Sequence, residues 1–189
     1  MRRICVFCGS STGNDPVYAE HATAVGKLLA QRGIGVVYGG GRVGIMGVVA
    51  DAALAEGGEV IGVIPKHLMR AEIAHDGLTE LHVTADMHER KAKMAELADG
   101  FLALPGGAGT LEELAEVWTW AQLGLHAKPI GLVDTAGYFR PLRDFADHMV
   151  TEGFLRPQHR DLIFVDPDPV VLLESFASYR PQATPKWTD

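Results

Sequence analysis

Seven short apolar runs, interleaved with stretches of helical periodicity, constrain the fold of this 189-residue chain more than any other feature. They span residues 4–7, 35–38, 60–64, 81–83, 101–104, 130–133 and 162–165. Several are apolar at consecutive positions instead of alternating, which is the pattern of strands covered on both faces. Helical windows fall near residues 16–32, 45–56, 86–98, 110–125, 138–151 and 168–177. This alternation implies an α/β fold with a doubly wound, mainly parallel, Rossmann-like sheet and right-handed crossovers. Ligands of such sheets bind outside the carboxyl ends of the strands, where strand order reverses.

The length suits one domain, expected over residues 1–179, followed by a polar, frayed tail from 180 to 189. Hydrophobic residues at 47% and charged residues at 22% are ordinary globular proportions and argue against disorder. A net charge of −7 argues against a broad nucleic-acid-binding face while leaving room for a local pocket that takes one small anion. No apolar run approaches the roughly 20 residues of a membrane span. Met1-Arg2-Arg3 leads straight into a predicted strand rather than a signal peptide, so a cytoplasmic location is expected.

Glycine is the compositional outlier, with 22 residues, about 12% against a usual value of about 7%. Three glycine-bearing turns follow predicted strands directly: Cys8-Gly9-Ser10-Ser11-Thr12-Gly13, Gly39-Gly40-Gly41-Arg42-Val43-Gly44-Ile45-Met46-Gly47, and Pro105-Gly106-Gly107-Ala108-Gly109-Thr110. Glycine there lets the backbone approach a ligand closely and lets a helix N-terminus aim N–H groups at it, a geometry that suits phosphate. A tight strand-to-helix turn would explain any one of them, but three at one sheet edge are harder to explain as turns alone. Gly39, Gly41 and Gly44 form a literal G-x-G-x-x-G, yet the acidic residue at the expected distance, Glu59, sits at the start of its strand, the wrong end for a ribose. No glycine precedes Lys-Ser or Lys-Thr, so the Walker-A pattern is absent. A mononucleotide or sugar phosphate fits better than NAD or ATP hydrolysis.

Two positions stand out for chemistry. Thr110 and Glu113 have the spacing of a capping box, so Glu113 reads either as a cap of its own helix or as a carboxylate placed one turn from a phosphate cradle for use there. The buried stripe of that helix is expected at Leu111, Leu114, Trp118, Ala121 and Leu125. Arg90 and Lys91 are cations at a helix start, where acidic side chains are favoured, and each is a candidate partner for phosphate or for a catalytic carboxylate. Asp86 and Glu89 repeat the capping spacing, so Glu89 reads as structural. Cys5 and Cys8 face opposite sides of a strand and its exit, and read as core. The eight histidines show no metal-ligand spacing, and no metal is indicated. Trp120 falls off the buried stripe and reads either as a partner contact or as an ordinary half-exposed side chain.

Pro105-Gly106-Gly107-Ala108-Gly109-Thr110-Leu111-Glu112-Glu113 resembles the P-G-G-x-G-T-x-x-E signature of the LONELY GUY family, the cytokinin-activating phosphoribohydrolases. Met87-His88-Glu89-Arg90-Lys91 is similar to that family's second motif, and Cys8-Gly9-Ser10-Ser11, Tyr38-Gly39-Gly40-Gly41 and the stretch 120–129 also resemble its pattern. The resemblance implies hydrolysis of the N-glycosidic bond of a cytokinin riboside 5′-monophosphate, with AMP as a further candidate, releasing free base and ribose 5-phosphate without a cofactor. It implies Arg90 and Glu113 as the catalytic pair and a homodimer. The substrate and its phosphate would then meet Gly9, Ser10, Gly40, Gly41, Gly44, Lys91, Gly106, Gly107, Gly109 and Thr110. Met46, Met94, Val117 and Trp118 are candidates for a prenyl pocket, although core packing explains them more cheaply. The alternative is a non-catalytic nucleotide or molybdenum cofactor carrier of similar fold, which has no need of the Arg90 and Glu113 pair. Many relatives bear the label lysine decarboxylase, but Lys66, Lys91, Lys93 and Lys128 lack a recognisable pyridoxal setting.

Overall fold

Each of the seven apolar runs is a strand, and together they form one sheet in the order β4-β3-β2-β1-β5-β6-β7. The computed structural model describes residues 1–69 and 74–180, so the tail expected beyond Arg180 lies outside the described residues. The strands are β1 (Arg3–Phe7), β2 (Gly35–Tyr38), β3 (Val60–Pro65), β4 (Glu80–Thr84), β5 (Gly100–Ala103), β6 (Ile130–Val133) and β7 (Ile163–Asp166). All six pairings are parallel, with Ile4 beside Val36 on one flank of β1 and Cys5 beside Phe101 on the other.

The helices are α1 (Val17–Gln31), α2 (Gly44–Ala55), α3 (Met87–Leu97), α4 (Ala108–Gln122), α5 (Arg140–Thr151), α6 (Pro157–Arg160) and α7 (Pro169–Ser178). Strand side chains point alternately to the two faces, and each face has its own core. Ile4, Val6, Val36 and Leu102 pack with α1, α2 and α7. Cys5, Phe7, Val37 and Phe101 pack with α3, α4 and α5. This two-sided burial is why the strands read as unbroken apolar runs.

The chain winds outward from β1 through β2, β3 and β4, then crosses back to β5 on the other side of β1. Strand order therefore reverses between β1 and β5. The three glycine turns leave the carboxyl ends of β2, β1 and β5, which are adjacent strands. At the opposite edge, Glu59 accepts from Arg3 Nε at 2.7 Å and from Nη2 at 2.9 Å. That hydrogen-bonded pair holds the Glu59 carboxyl below its ordinary range, and it occupies the acidic residue that a dinucleotide fold would have placed at the ribose.

Candidate active site

The three glycine turns are packed into one another by main chain. Gly9 N–H donates to the Pro105 carbonyl at 3.2 Å, and Met46 N–H donates to the Gly9 carbonyl at 3.3 Å. Gly44 has φ +58°, and a Cβ there would lie 2.2 Å from the Ser10 carbonyl carbon. Only glycine combines that left-handed backbone with so close an approach. The turns enclose a cavity of about 280 Å³ at the β1–β5 reversal.

Arg90 and Glu113 both line this cavity, one from α3 and one from α4. Arg90 is 4% exposed. Its Nε donates to the Val63 carbonyl at 3.1 Å and its Nη2 to the Gly39 carbonyl at 3.1 Å, while Met87 Sδ lies 3.7 Å from Nη1. A buried guanidinium needs such acceptors, and these two come from the carboxyl half of β3 and from the residue that follows β2. The helix that presents it is capped as its spacing predicts. Asp86 accepts from Glu89 N–H at 2.9 Å, and Glu89 reaches back to Ala85 N–H at 2.7 Å, so Glu89 is structural.

Glu113 is not a cap. α4 begins three residues earlier than the Thr110 spacing suggests, with Gly107 at the N-cap position and no side-chain cap. Thr110 therefore lies in the first turn and Glu113 in the second, both buried on the helix's inner face. The first-turn N–H groups of α4 have no acceptor inside the helix, and they sit where Gly107, Ala108, Gly109 and Thr110 line the cavity. A Cβ at Gly107 or Gly109 would meet nothing within 4 Å, so this wall is open to a ligand.

The remaining expected residues divide. Gly9 and Ser10 line the cavity. Gly106 lines an adjoining chamber of about 280 Å³, which shares Gly9, Ser10 and Gly107 with the first. Gly40, Gly41 and Gly44 do not line the cavity. Gly40 takes φ +76° against Ile64 and Leu81, Gly41 bridges to Ala74, and Gly44 seats the Ser10 turn. Lys91 is also turned elsewhere. Its ammonium pairs with Glu112 and lies 3.1 Å from Glu116, pinning α3 to α4. Burial lowers its proton affinity, but the two carboxylates outweigh this and hold its pKa above the ordinary ammonium value.

Of the apolar candidates only Met46 lines the cavity; Met94, Val117 and Trp118 belong to the core. Leu68 and Met87 line it as well, and neither had any signal as a site residue beyond Met87's place in the second motif. Cys8 also borders it. Burial first, and then the charge of Glu113, push the Cys8 thiol well above its ordinary range. Among the described residues no lysine lines the cavity: Lys93 pairs with Glu96 at 3.3 Å, and Lys128 Nζ donates to the Ala95 carbonyl at 2.6 Å. The buried stripe of α4 runs through Thr110, Glu113, Leu114, Val117, Trp118 and Gln122, whereas Leu111 and Leu125 are exposed. Trp120 is half-buried.

A family model described as possible lysine decarboxylase matches residues 46–176. A probable cytokinin riboside 5′-monophosphate phosphoribohydrolase of Oryza sativa subsp. japonica is 52% identical over 182 residues, covering 96% of this chain and 75% of that protein. A cytokinin riboside 5′-monophosphate phosphoribohydrolase of Arabidopsis thaliana is 51% identical, covering 96% of this chain and 84% of that protein. Among solved structures, the molybdenum cofactor carrier protein of Chlamydomonas reinhardtii superposes with a TM-score of 0.71 over 94% of this chain and 98% of that one, at 20% identity. The molybdenum cofactor binding protein of Rippkaea orientalis gives 0.70 over 94% and 96%, at 21% identity. At those identities the likeness is one of fold. The match to plant proteins at about half identity over nearly the whole chain is of another order, and by it the chain belongs to the LONELY GUY family of cytokinin riboside 5′-monophosphate phosphoribohydrolases.

Proposed function

We propose that the chain hydrolyses the N-glycosidic bond of a cytokinin riboside 5′-monophosphate, releasing the free base and ribose 5-phosphate. The observation that carries this is one cavity holding a buried arginine, a buried glutamate and the open N-terminus of α4. The names of its relatives at about 50% identity support it. The phosphate binds at the first turn of α4, against the N–H groups of Gly107, Gly109 and Thr110, with Gly106, Gly9 and Ser10 completing the cradle. Cleaving the ribosyl–base bond builds positive charge on the sugar. Glu113, one helical turn from the cradle, stabilises that charge and orients the attacking water. Arg90 is held by the strand-end carbonyls of Gly39 and Val63, and it orients the ribose and keeps the carboxylate ionised. The base lies against Met46, Leu68 and Met87.

The protein acts as a single domain over residues 1–179, in the cytoplasm, on a small nucleotide rather than on nucleic acid or membrane. It pairs with a second copy through the outer face of α4 and the turn after it, where Leu111, Leu123 and Leu125 are exposed beside half-buried Trp120. Sedimentation of the native chain tests the dimer.

The activity is tested by incubating the protein with isopentenyladenosine 5′-monophosphate, AMP and the dephosphorylated riboside, and following free base by chromatography. Release from the monophosphates but not from the riboside supports the proposal, and the ratio of the two rates measures prenyl preference. Tight nucleotide binding without release would move the assignment to a carrier.

A further inference from the structure

The third glycine turn is held by hydrogen bonds to its carbonyl oxygens. Gly9 N–H donates to the Pro105 carbonyl at 3.2 Å, Tyr138 Oη to the Gly106 carbonyl at 2.6 Å, and Leu111 N–H to the Gly107 carbonyl at 3.1 Å. A trans peptide is planar, with its C=O and N–H pointing in opposite directions. Fixing the Gly106 carbonyl on Tyr138 therefore fixes the N–H of Gly107, the residue at the N-cap of α4 and on the cavity wall. Of these three bonds only the one to Gly106 comes from a side chain, and it secures the turn between two glycines, the part with most conformational freedom.

Tyr138 is itself presented by an over-determined turn. Thr135, 2% exposed, has its Oγ1 2.7 Å from His21 Nδ1, and Asp134 accepts from Phe139 N–H at 2.7 Å. Between them Ala136 takes φ +53°, the one non-glycine residue with positive φ among the described residues. A left-handed alanine persists where its surroundings over-determine it. The Tyr138 ring then meets Tyr18 edge-on at 5.8 Å and Phe139 at 5.2 Å. Neither contact needs the hydroxyl, so the hydroxyl is separable from the packing.

We propose that Tyr138 is a positioning residue for the phosphate cradle: its hydroxyl orients the Gly106–Gly107 peptide so that Gly107 N–H faces the substrate's phosphate. This rests on the phosphate site proposed above, and the test separates the two.

Tyr138→Phe keeps the ring and removes the bond. KM for the nucleoside 5′-monophosphate and the Kd for AMP by calorimetry should each rise about three- to tenfold, as for one lost hydrogen bond. Within error kcat should be unchanged, and with Tyr138 on the surface the thermal midpoint should fall by no more than a few degrees, a split that a merely structural role would not give. Equal AMP binding by the wild type and Tyr138→Phe overturns the role of Tyr138, and so does a fall in kcat at constant KM. Wild type that binds AMP more tightly than Tyr138→Phe but releases no base overturns the hydrolase and leaves Tyr138 its role. Absence of AMP binding by both forms overturns both.

Discussion

Arg90 donates from Nη2 to the carbonyl oxygen of Gly39 at 3.1 Å, and a Cβ on Gly39 would lie 2.1 Å from that same nitrogen. The glycine at the end of β2 is thus the seat of the arginine. The guanidinium is held between β2 and β3, in the wall of the cavity that Glu113 also lines.

Gly39→Ala should accordingly unseat Arg90. The new methyl displaces the guanidinium and crowds Met46 Sδ, which would lie 3.2 Å away. Overpacking and a strained buried hydrogen bond together should cost about 1–3 kcal/mol of stability. Base release should fall at least about tenfold if Arg90 orients the substrate. Thermal denaturation and a steady-state assay of the same preparation check both outcomes.

Lys91 should matter for stability and not for the chemical step. Lys91→Met leaves Glu112 and Glu116 facing each other without their cation. With Glu112 half exposed, the loss should be about 1–3 kcal/mol, below that of a fully buried pair. The raised Lys91 pKa sets the pH sense: its stabilisation is complete below the ordinary ammonium pKa of 10.5 and is lost as pH rises through the higher folded value. The wild-type advantage over Lys91→Met should therefore shrink only in strongly alkaline solution. Denaturant titrations at neutral and alkaline pH read it directly.

Cys8 should resist alkylation. Burial, with the charge of Glu113 behind it, keeps the thiol protonated, and the thiolate is the reactive form. Native protein at pH 8 should react with iodoacetamide far more slowly than denatured protein. Glu113→Gln removes the second cause and should quicken labelling of Cys8, as followed by mass spectrometry. Labelling at the same rate in both forms would show that the Glu113 charge is not felt at Cys8.

All seven strands were legible because two-sided burial writes itself as a continuous apolar run, and their bounds differ from expectation by no more than one residue. The start of α4 was harder to read. Gly107 and Gly109, on either side of Ala108, carry weak helical signals, so Thr110 looked like a cap although it lies in the first turn. The four-residue α6 and the 3-10 turn at Thr135–Gly137 are too short for periodicity to register. The motifs did mark Arg90 and Glu113 as residues of the sheet's carboxyl edge, and both line the cavity there. The fate of Lys91 was not, because its partners come from α4, and only the packing of α3 against α4 brings them together. Leu68 and Tyr138 likewise have no local pattern, since their importance comes from what the β3–β4 and β6–α5 connections bring to the sheet's carboxyl edge.

The most direct measurement is the kcat of Glu113→Gln for base release from isopentenyladenosine 5′-monophosphate, taken beside its thermal midpoint. Loss of a carboxylate that acts in the transition state predicts a fall of about a hundredfold or more with the fold intact. A variant that keeps near-wild-type kcat would contradict the assignment of Glu113 and, with it, the proposed chemistry of the cavity.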